Sequence, residues 1–329
     1  MSERVSDCFG VVLIGRNEGE RLRVSLESAL KLTDRVVYAD SASTDGSVEL
    51  ARSLGAIVVE LDRSRPLNAA RGRNAGFEAL RKHFPECCYV VFLDGDCRLV
   101  ESFPTKAIAF LNANDKAAIA CGRRFEAFPD ASFYNRMADE EWNTPVGQAD
   151  ACGGDSMVRA EALQQIGGFD PELMASEEPE MAARLRARGW QIWRIDADMS
   201  EHDAAIHRFG QWWRRTLRSG YGYAQAWRLT QKLPHPINGR ILASAFFWAV
   251  GLPVAVVVLA ILLGRPAVLL LIPLTYAVQV LRIAFRRGLT AHGVRASAML
   301  MLAKFAEVAG AMRYFLQRRP RHSIEYKGS

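Results

Sequence analysis

The sequence predicts an α/β fold in which a mostly parallel, mixed sheet is flanked by helices, with a helical hairpin and an amphipathic helix towards the C-terminal end. Two observations lead to this prediction. Short apolar runs alternate with amphipathic stretches from residue 9 to residue 121, and such alternation is typical of strands and crossover helices in a parallel sheet. After residue 240, long stretches without charge replace the alternation.

The alternation places strands and helices in a definite order. Strands are predicted at residues 11–15, 35–39, 56–60, 89–93 and 117–121. Helices are predicted at residues 20–31, 46–54, 69–83 and 105–112. Ligands of parallel sheets bind beyond the carboxyl ends of the strands, so the polar residues directly after the apolar runs are the first candidates for chemistry.

Two charge-free stretches, residues 241–263 and 267–281, flank the break at Gly264, Arg265 and Pro266. At ~1.5 Å per residue the first is long enough to span a ~30 Å hydrocarbon core, and the second nearly is. A membrane hairpin at 241–284 is therefore predicted, with a hairpin buried in a soluble core as the alternative. Charges in residues 296–316 lie on more than one helical face, which leaves open an interfacial helix or a third span.

The charge of the chain is divided between its two halves. Residues 1–200 carry 24 basic and 32 acidic side chains, a net charge of −8, whereas residues 201–329 carry 18 and 4, a net charge of +14. The overall charge of +6 is thus no sign of nucleic acid as a partner, and membrane lipids are the expected anionic partner of the second half. The basic tail at residues 318–321 is interpreted as a lipid-facing end.

The flanks of the hairpin predict its orientation. Basic residues lie before and after it, at Lys232, Arg240, Arg282, Arg286 and Arg287, while the loop between the spans offers Arg265. The positive-inside rule then puts the first half on the cytoplasmic side of the inner membrane. Six cysteines without a C-x-x-C pair and a polar start without a cleavable signal fit the same reducing compartment.

The most distinctive local pattern is an apolar run that ends in Asp94-Gly95-Asp96. Two carboxylates separated by one glycine at a strand end can present oxygens to a divalent cation that also holds the phosphates of a nucleotide. Mg²⁺ or Mn²⁺ suits such ligands. A solvated loop is the alternative for this pattern taken alone.

Two further polar clusters follow predicted strands. The first contains Asn17 and Glu18, and the second begins at Asp40 and continues to Ser47. The second could also simply cap a helix, through Asp45 or Ser47. Because all three clusters fall at the same edge of the predicted sheet, together they indicate a nucleotide pocket.

The sequence resembles the family 2 glycosyltransferases over roughly residues 9–215. The resemblance depends on the order and spacing of six motifs, VVLIGRNE at 11–18, VVYADSASTDGS at 36–47, AARGRNAG at 69–76, VVFLDGD at 90–96, GGFD at 167–170 and SEEPEMAARLRARGW at 176–190. It implies a GT-A fold, which is a nucleotide-binding α/β sheet. It also implies an enzyme that uses a UDP or GDP sugar as donor and a metal ion as cofactor.

Carried over position by position, the resemblance implies roles for individual residues. The nucleotide-binding residues would be Asn17, Glu18, Asp40, Arg73, Asn74 and Asp94. Asp94 and Asp96 would form the metal and diphosphate site, with His202 as a third ligand or as a structural residue.

The resemblance also implies that Glu178 is the general base, at the position where inverting members carry the second carboxylate of an E-D pair. Pro179 suits a first helical position, so Glu178 is also predicted to cap the helix that runs through Arg188. A capped surface helix without catalytic function is the alternative. Inversion is a single displacement in which an acceptor hydroxyl loses its proton to a carboxylate.

A basic aromatic segment follows the catalytic motifs. Gln211-Trp212-Trp213-Arg214-Arg215 resembles the Q-x-x-R-W of processive polysaccharide synthases, with Arg215 in place of the final Trp. Glu177, Gln211, Trp212, Trp213 and Arg214 are expected at the acceptor or at the membrane interface. The predicted domains are a catalytic domain at 1–200, this segment at 201–240, the hairpin at 241–284 and an amphipathic helix with a basic tail at 285–329.

Together these observations predict an inverting glycosyltransferase acting on a hydroxyl acceptor, either a lipid or an envelope glycan. Two alternatives stay open at this point. One is a transferase acting on polyprenyl phosphate, which would need no base because a phosphate acceptor carries no proton to remove. The other is a non-catalytic membrane partner of a polysaccharide assembly that keeps a nucleotide-binding fold.

Overall fold

The computed structural model describes residues 9–317, so the basic tail predicted at 318–321 lies outside the described residues. The chain divides into two compact units. Of the described residues, 9–207 and 229–236 belong to the first unit, and 208–228 and 237–317 belong to the second.

Within residues 9–207, nine strands form one sheet. The strands are β1 (Phe9–Gly15), β2 (Val36–Asp40), β3 (Ile57–Glu60), β4 (Tyr89–Asp94), β5 (Cys97–Leu99), β6 (Ala117–Glu126), β7 (Gly147–Ala149), β8 (Ser156–Arg159) and β9 (Gln191–His202). The order across the sheet is β3-β2-β1-β4-β8-β6-β9-β5, and β7 pairs with β9.

Helices flank this sheet. They are α1 (Glu20–Leu30), α2 (Ser47–Ser53), α3 (Ala69–His83), α4 (Phe103–Ala113), α5 (Phe133–Trp142), α6 (Ala160–Gln165) and α7 (Glu177–Ala187). The predicted strands and helices are all present, with bounds shifted by a few residues, and β6 runs five residues beyond its predicted end.

The sheet is mixed. β1, β2, β3 and β4 run parallel to one another, and β6 runs parallel to β9, which pairs antiparallel with β5 and β7. β8 runs antiparallel to both β4 and β6, so its first residues lie at the carboxyl end of β4. The mixed α/β fold class predicted from the sequence is confirmed.

The sheet core consists of strands that are buried on both faces. Every residue of β1 is buried, and so are the first five residues of β4. Such near-continuous apolar runs are typical of central strands covered by helices on both sides. This rigid centre fixes the carboxyl ends of β1, β2 and β4, where the polar clusters follow.

The second unit is helical. Its helices are α8 (Phe209–Thr230), α9 (Gly239–Phe246), α10 (Leu252–Leu263), α11 (Leu271–Arg287) and α12 (Ala291–Leu316), with a π-turn at Phe247–Gly251 and a 3₁₀ turn at Pro266–Leu270. α8 and α12 pack backbone against backbone where two glycines lie. A side chain at Gly220 would overlap the backbone of Glu307, and one at Gly310 would overlap the carbonyl of Leu217.

Two helical segments of the second unit, Gly239–Leu263 and Pro266–Arg287, are long and apolar enough to cross a membrane. Only 11% and 6% of the most apolar window of each is buried, so the alternative of a hairpin buried in the core of this chain is wrong. Residues 296–316, for which two alternatives were open, form most of the single helix α12.

Candidate functional site

The loops after β1 and β2 are held to one another by Asn17. The Asn17 side-chain oxygen accepts a hydrogen bond from the backbone N–H of Thr44 at 2.8 Å, and the Asn17 N–H donates to the Ser43 hydroxyl at 2.9 Å. Asn17 takes a left-handed backbone with φ +54°, which Asn tolerates better than most residues. The two polar clusters predicted at this edge therefore lie side by side.

Asp40 is a buried carboxylate at the end of β2 with both oxygens in hydrogen bonds. Its Oδ1 accepts from the Tyr38 hydroxyl at 2.9 Å, and its Oδ2 accepts from the Ser43 N–H at 2.8 Å. Burial raises the pKa of Tyr38, so its hydroxyl stays protonated and continues to donate. The orientation of Asp40 is thus fixed before any ligand arrives.

Gly95 lets the loop after β4 approach the loop after β1. A Cβ at Gly95 would lie 3.0 Å from the carbonyl oxygen of Ile14 and 3.2 Å from the Cγ of Glu18. The Gly95 N–H donates to that same Ile14 carbonyl at 2.8 Å. Glu18, buried beside it, pairs with Arg21 at 2.8 Å. The position of the middle glycine of the D-x-D therefore leaves little room for a side chain.

Asp94 forms ion pairs with Arg73, which is buried, and with Arg124, which is partly exposed. Its Oδ1 lies 3.0 Å from Nη2 of Arg73, and its Oδ2 lies 3.2 Å from Nη2 of Arg124. Burial by itself would lower the pKa of Arg124, but Asp155, Cys97 and Asp94 beside it raise that pKa well above its ordinary value. The Arg124 guanidinium is therefore charged, and the two ion pairs hold the Asp94 carboxylate in place.

Arg73 connects Asp94 to the first turn of α7. Its Nη1 donates to Glu177 at 2.7 Å, its Nη2 lies 2.9 Å from Glu178, and its guanidinium lies 5.6 Å from the centre of the Phe169 ring. The side chain of Arg73 is 2% exposed. Asp94 of the D-x-D and the predicted base Glu178 thus meet on the buried Arg73.

Glu178 lies inside the first turn of α7 and does not cap it. The capping position is Ser176, with φ +67°, and the helix begins at Glu177, so the predicted cap is wrong by two residues. Burial raises the pKa of the Glu178 carboxyl to about 7; the charge of Glu177 adds to the rise, Arg73 opposes it, and Asp94 adds further. A carboxyl with this pKa can exchange protons near neutral pH.

Asn74 has a structural contact at the G-G-F-D motif. Its side-chain oxygen accepts from the Phe169 N–H at 2.9 Å, and its amide donates to the Phe169 carbonyl at 2.8 Å. A Cβ at Gly168, where φ is +79°, would lie 2.6 Å from the Asn74 oxygen. The predicted nucleotide contact of Asn74 stays a prediction.

Asp96 and His202 form a candidate metal site. The Asp96 Oδ2 lies 3.4 Å from the His202 Nε2, and the ligand atoms of Asp96, Cys97 and His202 all lie within 4.8 Å of one another. Carboxylate and imidazole are suitable ligands for Mn²⁺, and carboxylate is suitable for Mg²⁺. The residues present therefore fit a divalent cation at this position.

Trp142, at the end of α5, contacts His202 and Arg124, two residues that lie beside the D-x-D. Its ring lies edge to face against His202, with centroids 4.8 Å apart, and the Arg124 guanidinium lies 5.0 Å from the ring centre. Sequence reasoning missed Trp142, Arg124 and Asp155. The glycine pair before Asp155 is a local signal from which a close approach of the backbone to neighbouring groups could have been inferred.

The predicted acceptor or interface residues other than Glu177 lie on or beside the start of α8 in the second unit. The Gln211 side chain accepts a hydrogen bond from the Arg208 N–H at 2.9 Å. The rings of Trp212 and Trp213 pack near Phe209, at 5.7 and 5.8 Å between centroids. Arg214 follows on the same helix, and the roles of these residues stay predictions.

Comparison with known proteins supplies the class. A sequence model described as glycosyl transferase family 2 matches residues 11–167. A second model, described as glycosyl transferase family 21, matches residues 140–327, which is more than half of the chain. The mannosyltransferase PcManGT from Pyrobaculum calidifontis, solved in complex with GDP-Man and Mn²⁺, has a TM-score of 0.64 at 17% identity and covers 94% of this chain and 88% of its own. At that identity the likeness shows the fold alone.

Two curated relatives match part of the chain. The succinoglycan biosynthesis protein ExoA of Rhizobium meliloti (strain 1021) is 29% identical over 189 residues, 54% of this chain and 55% of that protein. An uncharacterized glycosyltransferase of Rickettsia bellii (strain RML369-C) is 39% identical over 59 residues, 18% of this chain and 20% of that protein. The chain thus matches about half the length of the first relative and a fifth of the second.

Fold and matches together define a glycosyltransferase with a GT-A fold. The chain belongs to glycosyltransferase family 2, as its motifs predicted, and its C-terminal half matches the family 21 model.

Proposed function

We propose that this chain is a metal-dependent, inverting glycosyltransferase that moves a sugar from a nucleoside diphosphate sugar to a hydroxyl of a lipid or an envelope glycan. The ion pairs on Arg73 carry this proposal. That one buried guanidinium contacts Asp94 of the D-x-D and Glu178, which matches the base of the family. Donor-binding and proton-accepting groups are thereby held at a fixed separation.

On the donor side, Asn17, Glu18 and Asp40 bind the nucleoside, and Asp94 lies beside the diphosphate. Asp94, Asp96 and His202 are the residues that would hold Mg²⁺ or Mn²⁺, and a bound cation would stabilise the negative charge of the leaving diphosphate. The GDP-Man and Mn²⁺ in the mannosyltransferase complex support a nucleoside diphosphate sugar as donor, with both UDP and GDP forms to be tested.

On the acceptor side, Glu178 accepts the proton of the attacking hydroxyl. The hydroxyl oxygen forms the new bond to the anomeric carbon while the bond to the diphosphate oxygen breaks, which inverts the configuration. Arg73 keeps the Glu178 carboxylate oriented by charge-assisted contact at 2.9 Å. The proton and the leaving group are thus both accounted for.

The second unit supports a membrane location. Its two apolar helical segments are long enough to span a bilayer, and we propose that they anchor a catalytic domain of residues 1–200 at the cytoplasmic face of the inner membrane. Residues 201–240 then lie at the interface, and residues 285–329 supply an amphipathic helix and a basic tail. The role of ExoA in succinoglycan biosynthesis supports a glycan or lipid-linked acceptor.

The test replaces Glu178 by Gln in washed membranes supplied with Mn²⁺ and UDP or GDP sugars. Transfer should fall by about 10²- to 10⁴-fold because the proton acceptor is lost, while binding of the Mn²⁺–nucleotide persists. Glu161→Gln, on the exposed face of α6, is the matched control and should transfer like the wild type.

Other outcomes assign the chain differently. A phosphodiester-linked lipid product, with full activity in Glu178→Gln, would identify a polyprenyl phosphate acceptor. No turnover and no metal-dependent nucleotide binding in the wild type would identify a non-catalytic partner.

A further inference from the structure

Asp155 is a buried carboxylate that none of the sequence motifs includes. It follows Gly153 and Gly154 and precedes β8, and it is 1% exposed. β8 is antiparallel to β4, with Ser156 opposite Phe92. Asp155 therefore lies at the carboxyl end of β4, where the D-x-D begins.

Both carboxylate oxygens of Asp155 make polar contacts, and these contacts connect β4, β6 and β9. Oδ1 accepts the Asp94 N–H at 3.0 Å. Oδ2 accepts the Ser200 hydroxyl at 2.5 Å and lies 3.5 Å from Nε of Arg124. Since Arg124 itself contacts the Asp94 carboxylate at 3.2 Å, Asp155 holds Asp94 twice, directly through the backbone and indirectly through Arg124.

The turn before Asp155 lies against the same groups. A Cβ at Gly154 would be 2.7 Å from Nη2 of Arg73 and 2.8 Å from Oδ2 of Asp94. The turn is therefore packed tightly against Asp94 at Gly154. Asp155 also places a second negative charge beside Arg124, which already pairs with Asp94.

We propose that Asp155 is a positioning residue for the transfer reaction, acting on the donor through Asp94 and Arg124. This inference rests on the proposed function in that Asp94 contacts the donor. Asp155 itself touches no substrate; it sets the direction of the Asp94 carboxylate and neutralises the arginine behind it.

The experiment uses the full chain in detergent with Asp155→Asn, which keeps an oxygen for the Asp94 N–H and removes the charge opposite Arg124. Mutation of groups that orient a binding residue typically costs about 10- to 100-fold, so KM for the nucleoside diphosphate sugar should rise by that factor, with a smaller change in kcat. Hydrogen exchange of the peptide covering residues 92–97 should be faster, and this second measurement requires no donor.

Asp139→Asn is the matched control. Both carboxylate oxygens of Asp139 accept hydrogen bonds from Nη2 of Arg123 at 2.9 Å. Arg123 precedes Arg124 on β6, so the variant weakens a similar ion pair that does not involve Asp94. It should leave KM and exchange at 92–97 unchanged. If Asp155→Asn does not fold, Ser200→Ala removes one hydrogen bond to Asp155 and should shift both readouts in the same direction by less.

Wild-type KM and wild-type exchange at 92–97 in Asp155→Asn would overturn the inference. Should the wild type use no nucleotide sugar, the proposed function fails, and exchange alone then decides about Asp155: faster exchange supports its hold on Asp94, and unchanged exchange refutes it.

Discussion

Arg73 forms ion pairs with Asp94 and Glu177, which lie 21 and 104 residues away along the chain. The motif resemblance gave Arg73 a nucleotide role, and Asp94, Glu177 and Glu178 were named separately. That all three meet on one guanidinium could not be read from the sequence, because long-range side-chain packing leaves no periodic pattern. What local sequence did contain was each residue's place at a strand end or helix start.

The pKa of Glu178 predicts how transfer depends on pH. Because burial raises that pKa to about 7, the base is mostly protonated at lower pH and cannot accept a proton. The kcat/KM should therefore rise by about tenfold per pH unit below 7 and level off above it. A pH–rate profile at constant ionic strength and saturating Mn²⁺ measures this.

Two comparisons make the profile specific to Glu178. The residual activity of Glu178→Gln should lack the rising limb, whereas Glu161→Gln should keep it. A wild-type profile that is flat between about pH 5.5 and 8 would contradict the assignment of Glu178 as base.

At the scale of elements, the five strands and four helices predicted between residues 9 and 121 were predictable because their apolar periodicity is strong. β5, β7 and β9 were not predicted, nor were α5 and α6. β8 was also missed, since an antiparallel strand of four residues, Ser156–Arg159, has too little pattern to reveal its direction. Its insertion between two strands of the other direction brings residues 153–155 into the site. Sequence reasoning therefore missed that turn together with Asp155.

The two glycines of this turn predict different responses to alanine. A Cβ at Gly154 would lie within 2.8 Å of Arg73 and Asp94, whereas one at Gly153 meets nothing within 4 Å. Gly154→Ala should cost about 1–3 kcal/mol of stability through overpacking and lower transfer at least about tenfold by moving Asp94. Gly153→Ala should behave like the wild type in thermal unfolding and in transfer. Equal activity of the two variants would contradict the tight packing at Gly154.

At the scale of the whole molecule, net charge separates the first 200 residues, at −8, from the rest, at +14. The apolar helices at Gly239–Leu263 and Pro266–Arg287 lie entirely in the basic part. The acidic part of the chain and the basic part thus differ both in charge and in apolar character. The net charge of the complete chain describes neither.

Cys88 makes the orientation testable. It is exposed on the first unit, whereas Cys87, Cys97, Cys121 and Cys152 are buried. In a Cys8→Ser background, a membrane-impermeant maleimide should label Cys88 in inside-out vesicles and leave it unlabelled in intact cells. Cys88→Ser, which should abolish labelling, is the control. Labelling in intact cells would place the catalytic unit on the outer side.

The hydrogen bond between Asp94 and Asp155 spans 61 residues, and the ion pair between Arg73 and Glu177 spans 104. During synthesis, the D-x-D is therefore made long before the groups that hold it, and the site is complete only when β9, which carries Ser200 and His202, has left the ribosome. The first long apolar segment begins later still, at Gly239. The order of translation thus lets the proposed donor site form before this apolar segment has left the ribosome.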